Sequence, residues 1–340
     1  MMRLLQKVLL SLPPEAAHSV AMTGLKLRGK VPGLVRPLLG KATSLGGKAL
    51  LNPLGLAAGL DKDAEAVEGL ARCGFGFLEV GTVTPRAQPG NPKPRLFRLP
   101  QHGALINRMG FNNHGLDAMA RRLAGVRERG RLHGTLIGVN LGKNKDTPLE
   151  HAVDDYVSCM RGLVHLADYF TLNLSSPNTP GLRKLQHGEG LRNLLHQVKE
   201  AQLALASDQA PVPLLLKVAP DLADDEITQI AEQVSSIGLE GLIATNTTLA
   251  RDAVLAHQHG HEAGGLSGRP LTNRSREVVA AFRRLLPDSC SIVGVGGISS
   301  ADDARAMLSS GASALQIYTS FIYKGPKIVQ EIIMGINALK

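Results

Sequence analysis

Between residues 50 and 320 one alternation repeats eight times: a short, nearly unbroken apolar run, then a longer amphipathic stretch. The runs are GLAAGL (55–60), FGFLEVGTV (75–83), TLIGVNLG (135–142), DYFTLNLS (168–175), PLLLKVAP (213–220), GLIATNT (241–247), SIVGVGGI (291–298) and ALQIYTS (314–320). Helical periodicity follows most of them, as in DKDAEAVEGLARC after the first and DDEITQIAEQVSSIG after the fifth. Strands apolar on both faces belong to a parallel sheet covered by helices. Eight such units imply an α/β fold, the closed (β/α)8 TIM barrel. The alternative is a doubly wound open sheet, whose first βα turn should carry GxGxxG. Here GVGGIS lies at the seventh run and lacks the last glycine.

Residues 1–40 stand apart from this pattern. Leu4, Leu5, Val8, Leu9 and Leu12 recur at helical spacing, with Arg3, Gln6, Lys7 and Ser11 on the other side. A second short helix follows, with Pro13 and Pro14 in its first turn, Glu15 at the positive end of its dipole, and Lys26, Arg28 and Lys30 near its end. Six cations (Arg3, Lys7, Lys26, Arg28, Lys30, Arg36) against the single carboxylate Glu15 supply more than half of the net charge of +9. Periodicity alone fits either a helical arm packed on its own domain or a helix pair lying in an anionic membrane interface. The division expected is 1–40 as a two-helix, membrane-associating extension and 41–340 as the barrel.

The excess of positive charge also raises nucleic acid as a partner. Tryptophan is absent and aromatics make up only 3% of the 340 residues, which leaves little to stack on bases. No segment has the 18 or more apolar residues that span a bilayer, and the amino terminus lacks a signal-peptide cleavage site. Cys73, Cys159 and Cys290 form no CxxC pair, so reduced thiols in a cytosolic chain are expected, with neither a disulfide framework nor structural zinc.

In such barrels chemistry collects at the carboxyl ends of the strands. Those ends carry Asp61 and Lys62; Thr82 and Thr84; Asn140 and Lys143; Asn173, Ser175 and Ser176; Lys217; Thr245, Asn246 and Thr247; Gly296 and Gly297; and Tyr318 and Thr319. Asparagine is poor in strands, and an amide offers both donor and acceptor, so its recurrence there suits a planar ligand with mixed polarity. Ends seven and eight are the usual phosphate site of this fold, and the glycine-rich GGLSGRP (264–270) could assist as a loop, so a phosphorylated cofactor or substrate is implied. HQHGH (257–261) has alternate histidines but no accompanying acid set, and no metal is expected. GLSG around Ser267 is not GxSxG.

The ordered set GLAAGLDKDAE, EVGTVTPRAQPGNPKPRLFRL, INRMGFNN, GVNLGKNKDT, NLSSPNTPGLR, LLLKVAPD, IATNTT, GGLSGRPL, GVGGI and QIYTSFIYKGP resembles the class 2 dihydroorotate dehydrogenases, over about residues 50–326. These are quinone-dependent, FMN-containing enzymes of pyrimidine synthesis. The resemblance implies that FMN is contacted by Ala58, Gly59, Leu60, Asp61, Lys62, Thr82, Asn140, Asn173, Lys217, Thr245 and Gly268, with its phosphate on Gly297, Tyr318 and Thr319. It places dihydroorotate on Lys62, Asn107, Arg108, Met109, Gly110, Phe111, Asn173, Asn178, Asn246 and Thr247.

Ser176 matches the family's catalytic base, with Ser175 as its structural neighbour. Proton removal would continue through Thr179 and a water toward Phe111. Class 1 enzymes carry a cysteine in this role, and no cysteine lies in the motif here. Arg98 and Tyr318 match positions at the inner end of a quinone tunnel, with His18 nearer its entrance. A monomer on the cytoplasmic face of the inner membrane, peripherally bound to lipid, follows from the resemblance. The alternative kept open is an FMN barrel acting on RNA pyrimidines, similar to dihydrouridine synthases.

Overall fold

A computed structural model describes residues 2–31, 37–206 and 209–338. Eight parallel strands close in sequence order: β1 (Leu54–Leu56), β2 (Phe77–Val83), β3 (Leu136–Leu141), β4 (Tyr169–Asn173), β5 (Leu214–Val218), β6 (Gly241–Ala244), β7 (Ser291–Val295) and β8 (Ala314–Ile317). Pairing of Leu315 with Leu54 and of Ile317 with Leu56 shuts the ring. The (β/α)8 expectation therefore holds.

Each strand is shorter than its apolar run, and the missing residues lie mostly at the carboxyl end. Gly59 (φ 107°), Gly296 (φ 128°) and Gly297 (φ 74°) take left-handed conformations that a β ladder does not accommodate. The chain turns out of the sheet there, and the polar residues that follow become the rim of the mouth.

Inside the barrel the Phe77 and Tyr169 rings meet edge to face, 6.3 Å apart. Their volume is admitted by two glycines. A Cβ on Gly55 would lie 2.4 Å from Phe77, and one on Gly138 would lie 2.0 Å from Tyr169. The lower opening is plugged by a hairpin, Thr43–Leu45 and Lys48–Leu50, whose turn uses Gly46 and Gly47 at positive φ. It delivers Leu45 and Leu50 to the luminal cluster. The larger core lies between the strands and the surrounding helices.

A sheet not expected from the sequence covers one side of the mouth. Leu96–Leu99, Ala104–Asn107 and Gly265–Gly268 pair antiparallel around their own core of Phe97, Leu99, Ile106 and Leu266. The glycines of GGLSGRP suggest a loop, yet its GLSG segment is this sheet's edge strand. A Cβ on Gly268 would stand 2.3 Å from the Gly103 carbonyl, so the glycines permit close strand approach as well as turning.

The extension folds as two helices, α1 (Met2–Ser11) and α2 (Pro14–Lys30). The side chains of Arg3, Leu4, Leu5 and Lys7, and all of Arg36, lie outside the described residues. Helix α2 is fastened to the barrel: Arg95 meets both oxygens of Glu15 at 3.2 Å. The Leu25 carbonyl sits so close to Gly69 that a Cβ there would lie 1.9 Å from it. Arg98 donates to the carbonyls of Leu10 (2.9 Å) and Leu12 (2.7 Å), holding the α1–α2 corner. Val8, Val20, Leu27 and Val31 remain exposed, as do Arg28 and Lys30. The segment is thus packed on the barrel and still presents apolar and basic groups outward.

Candidate active site

A cavity of about 340 Å³ opens over the carboxyl ends of the strands. Of the residues expected there, its wall includes Ala58, Gly59, Lys62, Thr82, Asn173, Lys217, Thr245, Gly268, Gly297, Tyr318 and Thr319. It also includes Asn107, Met109, Gly110, Phe111, Ser176, Asn178, Asn246 and Thr247. Four expected residues stand elsewhere. Asp61 turns inward and accepts the Glu65 and Ala66 N–H groups at 2.8 Å each, bracing the turn that leads into the helix Val67–Ala71; burial pushes its carboxyl up to about 6. Leu60 is buried beside it. Arg108 pairs with Glu262 at 2.7 Å and stacks over Phe97. Asn140 lies beneath the wall, wholly buried.

Lys62 donates to the Gly59 carbonyl at 2.7 Å, and burial, then repulsion from Arg95, brings its ammonium down to about 8. That cation suits a carboxylate ligand. Lys217 on β5 reaches the wall from inside the barrel; burial lowers its pKa, and the charge of Glu79 opposes the shift.

Ser176 Oγ accepts the Asn178 N–H at 3.2 Å, and Asn178 donates to the Asn107 carbonyl at 3.2 Å, which ties the serine loop to the covering sheet. No histidine lines the cavity among the described residues. The arrangement therefore lacks the base a nucleophilic serine would need.

The far end of the cavity is a backbone cradle. Gly296 and Gly297 abut the helix Thr272–Leu285, and a Cβ on Gly297 would meet Thr272 Oγ1 at 2.1 Å. Tyr318 precedes the helix Thr319–Lys324, whose first N–H groups have no partner within that helix. Ser267 and Thr319 hydroxyls bond at 2.9 Å across the gap. Gln316 Oε1, buried without a partner among the described residues, belongs to a side chain that lines the same cavity. A planar group with a phosphate tail fits these features: glycine backbone for the anion, and amides, a lysine and an orphaned acceptor for the ring.

Some contributors escaped the sequence reading. Arg183 donates to the Ser175 and Thr247 carbonyls at 3.0 and 2.9 Å, clamping the β4 and β6 loops together. Glu79, a lone acid within FLEVGTV, sits in the lumen and accepts from Asn140, Tyr169 and Gln316. A carboxylate inside an otherwise apolar strand was the available signal.

A second cavity of about 310 Å³ lies between α2 and the mouth, lined by His18, Met22 and Leu96 among others, and it shares Lys62, Met109 and Tyr318 with the first. Burial, then the charge of Lys62, brings His18 down to about 4. Burial likewise pushes Tyr318 up to about 12. Arg98 braces the helix corner instead of lining this space.

A closed barrel with an amide-rich mouth, a glycine backbone cradle and a helical extension beside a second cavity defines a (β/α)8 barrel with its ligand site at the carboxyl ends of the strands. The family model described as dihydroorotate dehydrogenase matches residues 41–339. The chain is 49% identical over 333 residues to a dihydroorotate dehydrogenase (quinone) of Burkholderia thailandensis, covering 96% of this chain and 95% of the relative. It is 46% identical to one of Pseudomonas aeruginosa, covering 100% and 99%. The crystal structure of a DHODH from Eimeria tenella in complex with ferulenol superposes with a TM-score of 0.88 at 40% identity, covering 95% of this chain and 90% of that one. The chain belongs to the dihydroorotate dehydrogenase family, in its quinone-dependent class.

Proposed function

We propose that this protein oxidises dihydroorotate to orotate in pyrimidine synthesis, with FMN held in the 340 Å³ cavity and a membrane quinone as the final acceptor. The observation that carries this reading is the convergence of Lys62, Asn107, Asn173, Asn178 and Asn246 with Ser176 on the same cavity that the Gly296–Gly297 cradle lines. The names of the relatives offer no support for an RNA substrate.

The substrate is an anion with an amide-rich ring. Lys62 meets its carboxylate, and the asparagines satisfy ring N–H and C=O groups, each unmet buried partner costing about 1–3 kcal/mol. Flavin bound in this cavity would supply the acceptor for the C6 hydride, with the quinone as the final oxidant. Ser176 Oγ takes the C5 proton while releasing its own toward Thr179, a buried residue further along the same loop; Phe111 in the covering segment is buried too. Lys217, in the wall of the same cavity, would stabilise negative charge on the flavin ring.

Residues 1–40 form the membrane-facing unit and 41–340 the catalytic barrel. No described helix is long and apolar enough to cross a membrane. The exposed Val8, Val20, Leu27 and Val31 beside Arg28 and Lys30 suit peripheral binding to anionic lipid, at the cytoplasmic face, by a monomer. The second cavity leads from α2 to Tyr318 and gives the quinone its approach. The test is colour: purified protein is yellow, is bleached by dihydroorotate and regains colour with a quinone but not with NAD. Colourless protein, or flavin indifferent to dihydroorotate, would sink the reading.

A further inference from the structure

Glu79 is 1% exposed, lies in the barrel lumen and is no part of the cavity wall. We propose that it is a positioning residue: it anchors the acceptor end of an amide chain that runs from the lumen to the substrate side of the mouth, and with the backbone donors at the upper end it holds the asparagines in the orientation they present to the ligand. The proposal deepens the function proposed above and rests on it.

A carboxylate only accepts, whereas an amide donates at one end and accepts at the other. Glu79 Oε1 takes the Asn140 NH2 at 2.7 Å, and Oε2 takes Gln316 Nε2 at 2.8 Å and the Tyr169 hydroxyl at 3.2 Å. With its NH2 engaged below, Asn140 turns its oxygen upward, where it accepts Asn173 Nδ2 at 3.0 Å and the Thr82 hydroxyl. Asn173 then turns its own oxygen onward, accepting Asn246 Nδ2 at 3.3 Å and the Ser175 hydroxyl at 3.2 Å. Asn246 ends the chain by accepting the Thr247 N–H at 2.9 Å.

All three amides therefore point the same way, and reversing one sets NH2 against NH2 at the next link. Groups that cannot reverse stand at both ends: Glu79 only accepts at the bottom, and the backbone N–H groups of Ser175 and Thr247 only donate, to Asn173 Oδ1 at 3.3 Å and Asn246 Oδ1 at 2.9 Å. Of these, Glu79 is the one a side-chain substitution can change. Asn173 and Asn246 both line the cavity, so a change made at Glu79 is read out at the ligand.

Glu79→Gln keeps the shape and adds a donor at the anchor. With its oxygen kept by Tyr169 and Gln316, the new NH2 faces the Asn140 NH2 and the chain loses its direction. Adding Asn140→Asp moves the acceptor-only group one link up and restores the direction with unchanged net charge. Tyr169→Phe removes a donor to Glu79 without touching the chain.

The measurement is the dissociation constant of orotate on flavin-loaded protein by calorimetry, with the visible flavin spectrum on orotate addition as a second readout. Glu79→Gln is expected to weaken orotate about tenfold or more with flavin retained. The double variant should recover most of that, and Tyr169→Phe should stay within about threefold. If the single variant fails to fold, a double variant that folds and binds orotate counts as rescue and supports the proposal. Unchanged orotate affinity in Glu79→Gln overturns the proposal; so does a loss that Asn140→Asp does not recover, or an equal loss in Tyr169→Phe. Wild-type protein that ignores orotate overturns the substrate assignment itself, and this proposal with it.

Discussion

Asn246 Nδ2 donates to Ser175 Oγ at 3.0 Å, while the Ser175 hydroxyl is turned onto Asn173 Oδ1 at 3.2 Å. Ser175 is wholly buried with its proton committed to this network. Ser176, one residue on, lines the cavity and takes a hydrogen bond only from the Asn178 N–H among the described residues. Adjacent serines thus differ in what they can do, because the end of β4 sends one side chain inward and the next toward the ligand.

Replacing Ser176 with alanine should leave flavin content unchanged and slow flavin reduction by dihydroorotate ~10²-fold or more, since only the proton acceptor is lost. Ser175→Ala instead removes one of the two acceptors of Asn246 Nδ2 and should act through stability, by roughly 1–3 kcal/mol. Stopped-flow absorbance and thermal melting separate the two. A slow step in Ser175→Ala with a normal one in Ser176→Ala would reverse the assignment.

Lys62 gives the substrate step a pH dependence of definite sign. Its ammonium is held down to about 8, below the ordinary lysine value, so the cation is present at neutral pH and is lost as pH rises through 8. A bound carboxylate draws the proton back. KM for dihydroorotate should therefore rise roughly tenfold per unit above pH 8 while turnover at saturation holds. A KM that stays flat to pH 9 would remove Lys62 from the anion site.

The barrel was legible because period and apolarity are long-range signals: eight runs in order admit few folds. Strand ends were read too long for a local reason. Residues such as Ala58, Ser175 and Thr247 continue the strand's composition, but positive-φ glycines and amide networks release them from the ladder. The mouth residues were legible as polar groups at those ends, together with a resemblance to a known family. Asp61 shows the limit, since a carboxylate after a strand reads alike whether it meets a ligand or braces the turn into the next helix. Glu79 and Arg183 act through partners more than 60 residues away, for example Glu79 on Asn140 and Arg183 on Thr247, and no local pattern announces such pairs.

His18 predicts how α2 responds to acid. Its folded-state pKa of about 4 lies below the ordinary 6.5, so the fold favours the neutral ring. That contribution is complete above pH 6.5 and is lost as pH falls toward 4. His18→Gln should therefore lose less melting temperature than wild type between pH 7 and 4.5, by a few degrees. Parallel loss in both proteins would show that His18 is not the group responsible.

Gly69 offers a way to displace α2 without cutting the chain. Its Cα faces the Leu25 carbonyl so closely that a Cβ would lie 1.9 Å from it, against backbone that cannot swing aside. Gly69→Ala must push the helix outward, at a cost of about 1–3 kcal/mol by analogy with overpacked interiors. Asn173 and Ser176 stand at strand ends outside the second cavity, away from α2; of the mouth residues Lys62, Asn173 and Ser176, Lys62 alone is shared between the two cavities. The second cavity, bounded by α2 residues His18 and Met22, is deformed directly. Flavin reduction by dihydroorotate should stay within about twofold of wild type, while reoxidation by a quinone slows about tenfold or more. Double-mixing stopped flow reads both steps in one protein. Equal slowing of the two would mean that α2 serves the fold as a whole, and that the quinone reaches the flavin by another route.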